Sequence, residues 1–407
     1  MAETLTPGDA GQLREAVAWA ASGETPLEIV GRGSKRALGR PVQAAHVLDV
    51  SKLSGIEMYE PDELVMCARS GTPLAEVETA LAANRQRLAF EPPDLGPLLG
   101  ETAGAASVGG VFACNLAGPR RIAAGGARDH FLGVAAVTGR GEAIKAGGRV
   151  VKNVTGYDIC KLFAGAYGTL AVMTALTFKV LPAPEKTRTV LVFGLDDARG
   201  IEAMTAALAS PHEVAAAAHL PATAAARSVV AYVSGAGAAV TAVRVEGPAP
   251  SAEHRCRALR ELLGGFGAVE ELHGLNSGVL WRELRDVAPF VGDDRVVWRL
   301  SVPPAAGADV VGRIAGGIEA EAFYDWGGGL VWLAFGNAGD DGGAALVRAA
   351  IDGTGGHATL MRADAGLRGA LPVFQPQDAA LAALTRRVKE GFDPHRVLNP
   401  GRMYAGV

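Results

Sequence analysis

Apolar and polar residues change rhythm several times along this chain, and each change predicts an element. Between residues 170 and 180, Leu170, Val172, Thr174, Leu176, Phe178 and Val180 fall on one side of a strict alternation, the period of a strand. LEIV (27–30), HVLDV (46–50) and LVMCARSG (64–71) are shorter β-like runs, whereas TPLAEVETALAANRQ (72–86) has a helical period. The opening residues read as a capped helix starting near Pro7, with none of the basic flank of a signal peptide. LPAPEK (181–186) reads as a linker.

Beyond the linker the rhythm becomes repetitive. TRTVLVFGL, ARGIEAMTAALAS, EVAAAAHL, AVTAVRVEG, SAEHRCRALRELLG and GAVEEL read β-α-β-β-α-β, and the stretch from DDRVVWRLSVP to HATLMRA reads the same way again. Two split βαβ units predict a second domain with an antiparallel sheet and helices on one face. The remaining FQPQDAALAALTRRVKEGFDPHRVLNPGRMYAG is one amphipathic helix followed by a Pro-Gly punctuated tail. The expected fold class is therefore α+β, with domains at 1–185, 186–370 and a C-terminal segment, 371–407.

Composition narrows the function classes. The 407 residues exceed what one core usually organises. A net charge of -4 provides no footprint for nucleic acid or anionic lipid, so a small anionic ligand needs local basic groups. Cys67, Cys114, Cys160 and Cys256 are widely separated, which excludes a local C-x-x-C pair and an iron–sulfur ligand run. A reducing, cytoplasmic compartment is expected. The uncharged run at 162–178 falls short of the roughly 20 residues of a bilayer span. The 54 glycines are about twice the usual share, but alanine and arginine are abundant too, so glycine carries information only through position.

Three glycine clusters have informative positions. In IVGRGSKRALGRP (29–41) a β-like run ends in glycines whose amides can converge on phosphate oxygens, with Arg32, Ser34 and Lys35 at hand, although an ordinary strand–loop reads the same way. It matches neither the G-x-G-x-x-G nor the Walker pattern. ETAGAASVGGVFACNLAGPRR (101–121) has glycine or alanine wherever a side chain would keep backbone from a long flat ligand. GGRVVKNVTGYDICKLFAGAYGTLAV (147–172) is the third, preceded by Asp129, His130 and a GRGE hairpin turn.

These segments, with LDVSKLSGI, LAFEPPD, RDHFLGV and FDPHRVLNPGRM, resemble in order the flavin domain of the vanillyl-alcohol oxidase and p-cresol methylhydroxylase (PCMH) superfamily. Within it, the chain resembles the family of FAD-binding subunits of glycolate oxidase (glycolate dehydrogenase). The similarity is strong over 5–185 and 370–405 and weak between; KNVTGYD and FYDWGGGLVWLAFG (323–336) also fit. The resemblance implies a two-subdomain PCMH-type FAD-binding domain and an α+β cap with ferredoxin-like repeats, the tail returning to the FAD domain. By the same resemblance, Gly31, Arg32, Gly33, Ser34 and Lys35 cradle the pyrophosphate of FAD. Thr102, Gly104, Ala106, Ser107, Gly109, Gly110, Asn115 and Gly118 line the dinucleotide and ring, Gly168 and Val172 meet the adenosine end, and Asn399 returns near the isoalloxazine. A branched side chain at Gly109 is expected to enter the flavin bed.

Departures from the family pattern carry expectations too. Where covalent members place a histidine, the first glycine loop has none, so noncovalent FAD is expected, with Cys114 a small buried thiol. The dense histidine motif of related hydroxy-acid dehydrogenases is missing: His212, His219, His254, His273 and His357 stand singly, and His395 lies in the tail. Tyr324, Asp325 and Trp326 read as packing or subunit contact before a substrate wall. No catalytic residue is assigned, and no metal. The resemblance implies a paralogous FAD-containing catalytic subunit and an iron–sulfur subunit as partners, glycolate or another small 2-hydroxy acid as substrate, and a peripheral place at the inner membrane through those partners. A self-sufficient FAD-linked oxidase and a non-catalytic structural subunit are the alternatives. A subunit should also keep an exposed apolar patch, expected on the second domain.

Overall fold

Asp9 begins the first helix by accepting a hydrogen bond from Gln12 N at 2.9 Å, which satisfies one of the amides a helix start leaves open. Helix α1 (Ala10–Ser22) then buries Leu13, Val17 and Ala20, one face at helical spacing. The computed structural model describes residues 3–150 and 156–407, so Lys152, Asn153 and most of KNVTGYD lie outside the described residues. The chain divides into two units: unit 1 holds Met1–Ala117, Gly125–Ala183 and Pro372–Val407, and unit 2 holds Gly118–Ala124 and Pro184–Leu371.

In unit 1, β1 (Glu3–Leu5), β2 (Leu27–Val30) and β3 (His46–Asp49) form a parallel sheet in the order β1-β3-β2. A second, antiparallel sheet contains β4 (Ile56–Glu60), β5 (Val65–Arg69), β6 (Phe131–Thr138), β7 (Ala143–Gly147) and β8 (Ala171–Lys179), ordered β4-β5-β8-β6-β7. The alternating segment is thus the central strand, and the GRGE turn joins β6 to β7. Helices α2 (Leu74–Ala83) and α3 (Val108–Ala113) follow the β5 turn and the second glycine cluster.

Unit 2 contains the repeat. Its first copy is β9 (Lys186–Phe193), α4 (Asp197–Leu208), β10 (Ala216–Leu220), β11 (Val240–Gly247), α5 (Ala249–Leu263) and β12 (Val269–His273). After α6 (Gly274–Arg285), the second copy is β13 (Val296–Ser301), α7 (Gly307–Ala315), β14 (Ala320–Asp325), β15 (Leu330–Phe335), α8 (Ala344–Ile351) and β16 (His357–Arg362). One eight-stranded sheet results, ordered β12-β9-β11-β10-β14-β15-β13-β16. The second strands of the two copies meet in its middle through the pair His219↔Tyr324. Asp197 of α4 fastens that joint: Tyr324 Oη donates to its Oδ2 at 2.5 Å, and His219 Nε2 lies 3.4 Å from its Oδ1. Burial opposes ionisation of Asp197, but the hydrogen bonds of His219 and Tyr324 outweigh it and hold the carboxyl below its ordinary range.

The repeat reading predicts no helix at α6. Its opening Gly-Leu-Asn-Ser-Gly is turn-like and hides the buried set Ser277, Leu280, Trp281 and Leu284. Packing overrides that local preference: Trp281 Nε1 donates to Thr189 Oγ1 at 2.8 Å, and the Arg244 guanidinium lies 4.7 Å from the centroid of the indole. Among the described residues, no helix is long and apolar enough to cross a membrane. Exposed apolar side chains of unit 2 include Val229, Tyr232 and Leu275.

Helix α9 (Ala379–Phe392) brings the chain back within unit 1. Near its end Lys389, 1% exposed, donates from Nζ to Thr169 O at 2.7 Å, Asp393 Oδ2 at 2.8 Å and Leu398 O at 2.9 Å. Asp393 also accepts from Val397 N at 3.0 Å and Leu398 N at 2.8 Å. Burial lowers the Lys389 pKa, and the Asp393 carboxylate opposes that shift. Val397 and Leu398 thereby enter the core beside Leu13, Val17, Leu27, Leu48 and Val172, each burial worth about 1.5–3 kcal/mol. Lys389→Met keeps the stem and strands the Asp393 charge, so we expect a loss of about 3–5 kcal/mol, read as a lower urea midpoint at unchanged m-value.

Candidate functional site

Strand β2 ends at Val30, and the chain turns sharply through Gly31, Arg32, Gly33, Ser34 and Lys35. Gly33 adopts φ +83°, and a Cβ there would meet nothing within 4 Å, so this backbone stands free on the side where a side chain would grow. Gly31 has a different reason to be glycine: a Cβ would lie 2.6 Å from Ser107 Oγ. Ser107 caps α3 by accepting from Gly110 N at 3.3 Å, so the two glycine clusters pack loop against helix start. Gly110 in turn leaves room for Lys35, whose Cε would lie 2.9 Å from an added Cβ.

These loops wall a cleft with an empty volume of about 710 Å³, partly open to solvent and within the range of small-molecule and cofactor sites. Its cations come from separate parts of unit 1. Lys35 Nζ donates to Ser34 Oγ at 3.0 Å, and burial lowers the lysine's pKa against the pull of Cys114 and Asp94. Arg402, from the tail, donates from Nη2 to Lys35 O at 3.0 Å and Arg36 O at 3.2 Å, which clamps the loop backbone. Burial pushes the Cys114 thiol up, opposed by Lys35 and Arg402. Burial is the largest of these effects and favours the protonated thiol, although Cys114 is half-buried and not the buried thiol expected.

The tail builds one wall. Leu27 N donates to Val397 O at 2.7 Å, Asn399 N to Leu27 O at 3.0 Å, and Leu27 and Leu398 form a parallel bridge. Asn399 Oδ1 accepts from Ile29 N at 2.8 Å while its Nδ2 donates to Tyr167 O at 2.8 Å. Gly168, at φ +71°, must lack a side chain because a Cβ would lie 2.9 Å from that amide nitrogen. Ser70 lines the cleft from the turn after β5, and its buried Oγ has no hydrogen-bond partner among the described residues. A buried hydroxyl without a partner is costly, and a ligand polar atom in the cleft would satisfy it.

Gly31, Arg32, Gly33, Ser34, Lys35, Ser107, Gly109, Gly110, Gly168, Val172 and Asn399 all line this cleft. The others stand elsewhere. Thr102 and Gly104 are exposed, with Gly104 N donating to Asp94 Oδ2 at 2.6 Å. Ala106 is buried, its carbonyl accepting from Leu74 N at 2.9 Å, and Asn115 Oδ1 accepts from Arg128 N at 2.9 Å. Gly118 belongs to unit 2, where its carbonyl accepts from Trp326 Nε1 at 3.0 Å. Gly109 lines the cleft, yet a Cβ there would strike Ser70 Cβ and O, each at 2.7 Å. Its lack of a side chain serves the contact between α3 and the β5 turn, whereas the expected intrusion into the bed fits Gly33 better. Ser70, Tyr167, Met173 and Arg402 line the cleft without having been singled out. Arg402 had a local signal, following Asn399-Pro400-Gly401 directly; Ser70 in RSGTP had none beyond its turn.

Comparison with known proteins agrees with this geometry. Residues 2–147 match the FAD binding domain family model, and residues 374–403 match the C-terminal domain model of FAD linked oxidases. These two stretches are the ones that build the loops and the tail wall. The chain is 38% identical over 396 residues to the glycolate oxidase subunit GlcE of Escherichia coli (strain K12), covering 97% of each chain. Two solved structures share the fold at low identity. The 4-ethylphenol oxidase from Gulosibacter chungangensis in its isoeugenol complex has TM-score 0.72 at 15% identity, covering 99% of this chain and 89% of that one. Substrate-bound p-cresol methylhydroxylase has TM-score 0.70 at 14% identity, covering 98% and 88%. By sequence over its whole length, and with a PCMH-type α+β fold, the chain belongs to the FAD-linked oxidoreductase family that includes glycolate oxidase subunit GlcE, with FAD as its cofactor.

Proposed function

We propose that this chain is the FAD-binding subunit of a complex that oxidises glycolate to glyoxylate and passes the electrons through its flavin to an iron–sulfur partner. The observation that carries the reading is the cleft of unit 1, where Lys35, the free backbone at Gly33 and the orphaned Ser70 hydroxyl face one space. FAD fits this donor set. Bound there, it supplies an acceptor for the two electrons leaving a C–H bond. Lys35 and the amides of the first glycine loop hold the pyrophosphate, and Ser70 donates its hydroxyl proton to a polar atom of the cofactor. Asn399 and Arg402 keep the loop and β2 in place while Gly168 lets the chain pass closely. The binding is noncovalent, the first loop carrying no histidine.

The FAD-binding part comprises 1–185 with 371–407, and 186–370 serves as the cap or substrate-type domain. The four cysteines are too dispersed for an iron–sulfur cluster, so the electrons leave through a partner. A paralogous FAD subunit supplies the histidine-rich chemistry missing here, and these partners bring an otherwise cytoplasmic chain to the inner membrane.

Two measurements test the assignment. Lys35→Met keeps the buried stem and removes the charge, and we expect FAD to bind at least tenfold more weakly with an unchanged circular dichroism spectrum; equal affinity would remove Lys35 from the cofactor site. Glycolate added anaerobically should leave the visible flavin band of the isolated chain intact and bleach it once the partner subunits are present. Bleaching of the isolated chain would establish a self-sufficient dehydrogenase, and a band that survives in the complete complex would make the subunit structural.

A further inference from the structure

Strand β12 (Val269–His273) ends the eight-stranded sheet of unit 2 on one side. It pairs with β9 from Arg188↔His273 to Val192↔Val269, and no strand among the described residues pairs with its other edge. The backbone N–H and C=O groups of such an edge are a template for another strand, so folds usually blunt it with a proline, a bulge, a covering loop or charged side chains. VEELH has no proline, and its register against β9 runs without a bulge. Of its two carboxylates, Glu271 is already neutralised, since Arg188 Nη1 donates to its Oε1 at 2.5 Å. Glu270 is exposed and forms no ion pair or side-chain hydrogen bond among the described residues.

Glu270, Glu271, Leu272 and His273 all line one groove, open to solvent, with an empty volume of about 1080 Å³. Successive side chains of a strand point to opposite faces, so a surface that touches four residues in a row follows the edge of the strand, not one face. Two apolar side chains border the same groove from other elements. Tyr232, in the helical turn Ala231–Ser234, is 63% exposed, and Leu275, at the start of α6, is 80% exposed. Side chains so exposed contribute little burial to this chain's own fold; beside an open edge they offer apolar contact to whatever docks there.

We propose that β12 takes an extended segment of a partner subunit as an additional strand, with apolar side chains of the segment on Tyr232 and Leu275 and a lysine or arginine opposite Glu270. Main-chain hydrogen bonds along the edge give such a contact its affinity, and the flanking side chains give it selectivity. The charges argue against a second copy of this chain: antiparallel pairing of β12 with itself over its whole length sets Glu271 against Glu271 and offers Glu270 only Leu272. A basic segment has no such conflict. That the segment belongs to a complex oxidising glycolate rests on the reading above; the open edge does not. None of these residues lines the cleft of unit 1, so flavin content reports on the fold independently.

The test uses the full-length flavin-loaded chain with the paralogous FAD subunit and the iron–sulfur subunit, and reads amide hydrogen exchange together with assembly affinity. On assembly we expect exchange in 269–276 to slow at least tenfold. Leu275→Asp and Glu270→Arg should each weaken assembly at least tenfold with flavin content and circular dichroism unchanged, since both replaced side chains are exposed. Affinity equal to wild type in both variants overturns the proposal, as does assembly that leaves exchange in 269–276 unchanged. Slowing that appears in the isolated chain as its concentration rises assigns the edge to a second copy and overturns it too. A wild-type chain that joins neither subunit contradicts the glycolate-complex reading and the partner assigned with it, whereas unaffected variants in a complex that does assemble remove only the docking edge.

Discussion

The cleft of unit 1 depends on one buried ammonium group. Lys389 spends its three hydrogens on Thr169 O, Leu398 O and Asp393 Oδ2, which joins the end of α9, the approach to β8 and the chain just before Asn399. Each partner is itself committed: Asp393 accepts two further backbone amides, and Leu398 sits in the core against α1 and β2. A buried charge so satisfied fixes geometry more than it adds stability, since its attraction to Asp393 must first offset desolvation. The geometry it fixes is the register of the tail against β2. That register places Asn399 between Ile29 and Tyr167, and Arg402 under the carbonyls of Lys35 and Arg36. Residues almost a whole chain apart thus form one site.

The same logic accounts for the site's electrostatics. A chain of net charge -4 attracts an anionic dinucleotide only through local cations. Lys35 and Arg402 supply them in the cleft, and both are buried enough that their pKa values fall. Cations desolvated in advance hold phosphate oxygens more strongly, which is the role we propose for Lys35. Burial explains why Cys114 sits in the cleft wall as a protonated thiol: the nearby charges of Lys35 and Arg402 pull against it but do not overcome it.

Much of this was legible in the sequence, for physical reasons that differ by segment. The alternation in 170–180 survived because β8 is the central strand of its sheet, and the doubled β-α-β-β-α-β rhythm survived because the helices of each copy pack on that copy's own strands. Gly33 and Lys35 were reached through the family resemblance, because a Gly-x-Gly-Ser-Lys loop after a strand reads equally as an ordinary strand–loop. Helix α6 was hidden by turn-forming residues at its start, which tertiary packing overrode through Trp281. Thr102, Gly104, Ala106, Asn115 and Gly118 share the small-residue texture of the second cluster but not its place at the cleft, because texture does not state direction. Gly109 shows this most clearly: it lacks a side chain for the sake of Ser70. Ser70 and Tyr167 were invisible, being ordinary residues made special by what faces them from distant parts of the chain.

If the tail's register creates the flavin site, the most direct measurement is the dissociation constant of FAD from the Asn399→Ala chain. This change leaves Lys389, Lys35 and the glycine loops in place and removes only the side chain that ties β2 to Tyr167. The account predicts binding at least tenfold weaker than in the wild type, in a protein that remains folded by circular dichroism. An unchanged dissociation constant in that folded variant would contradict it.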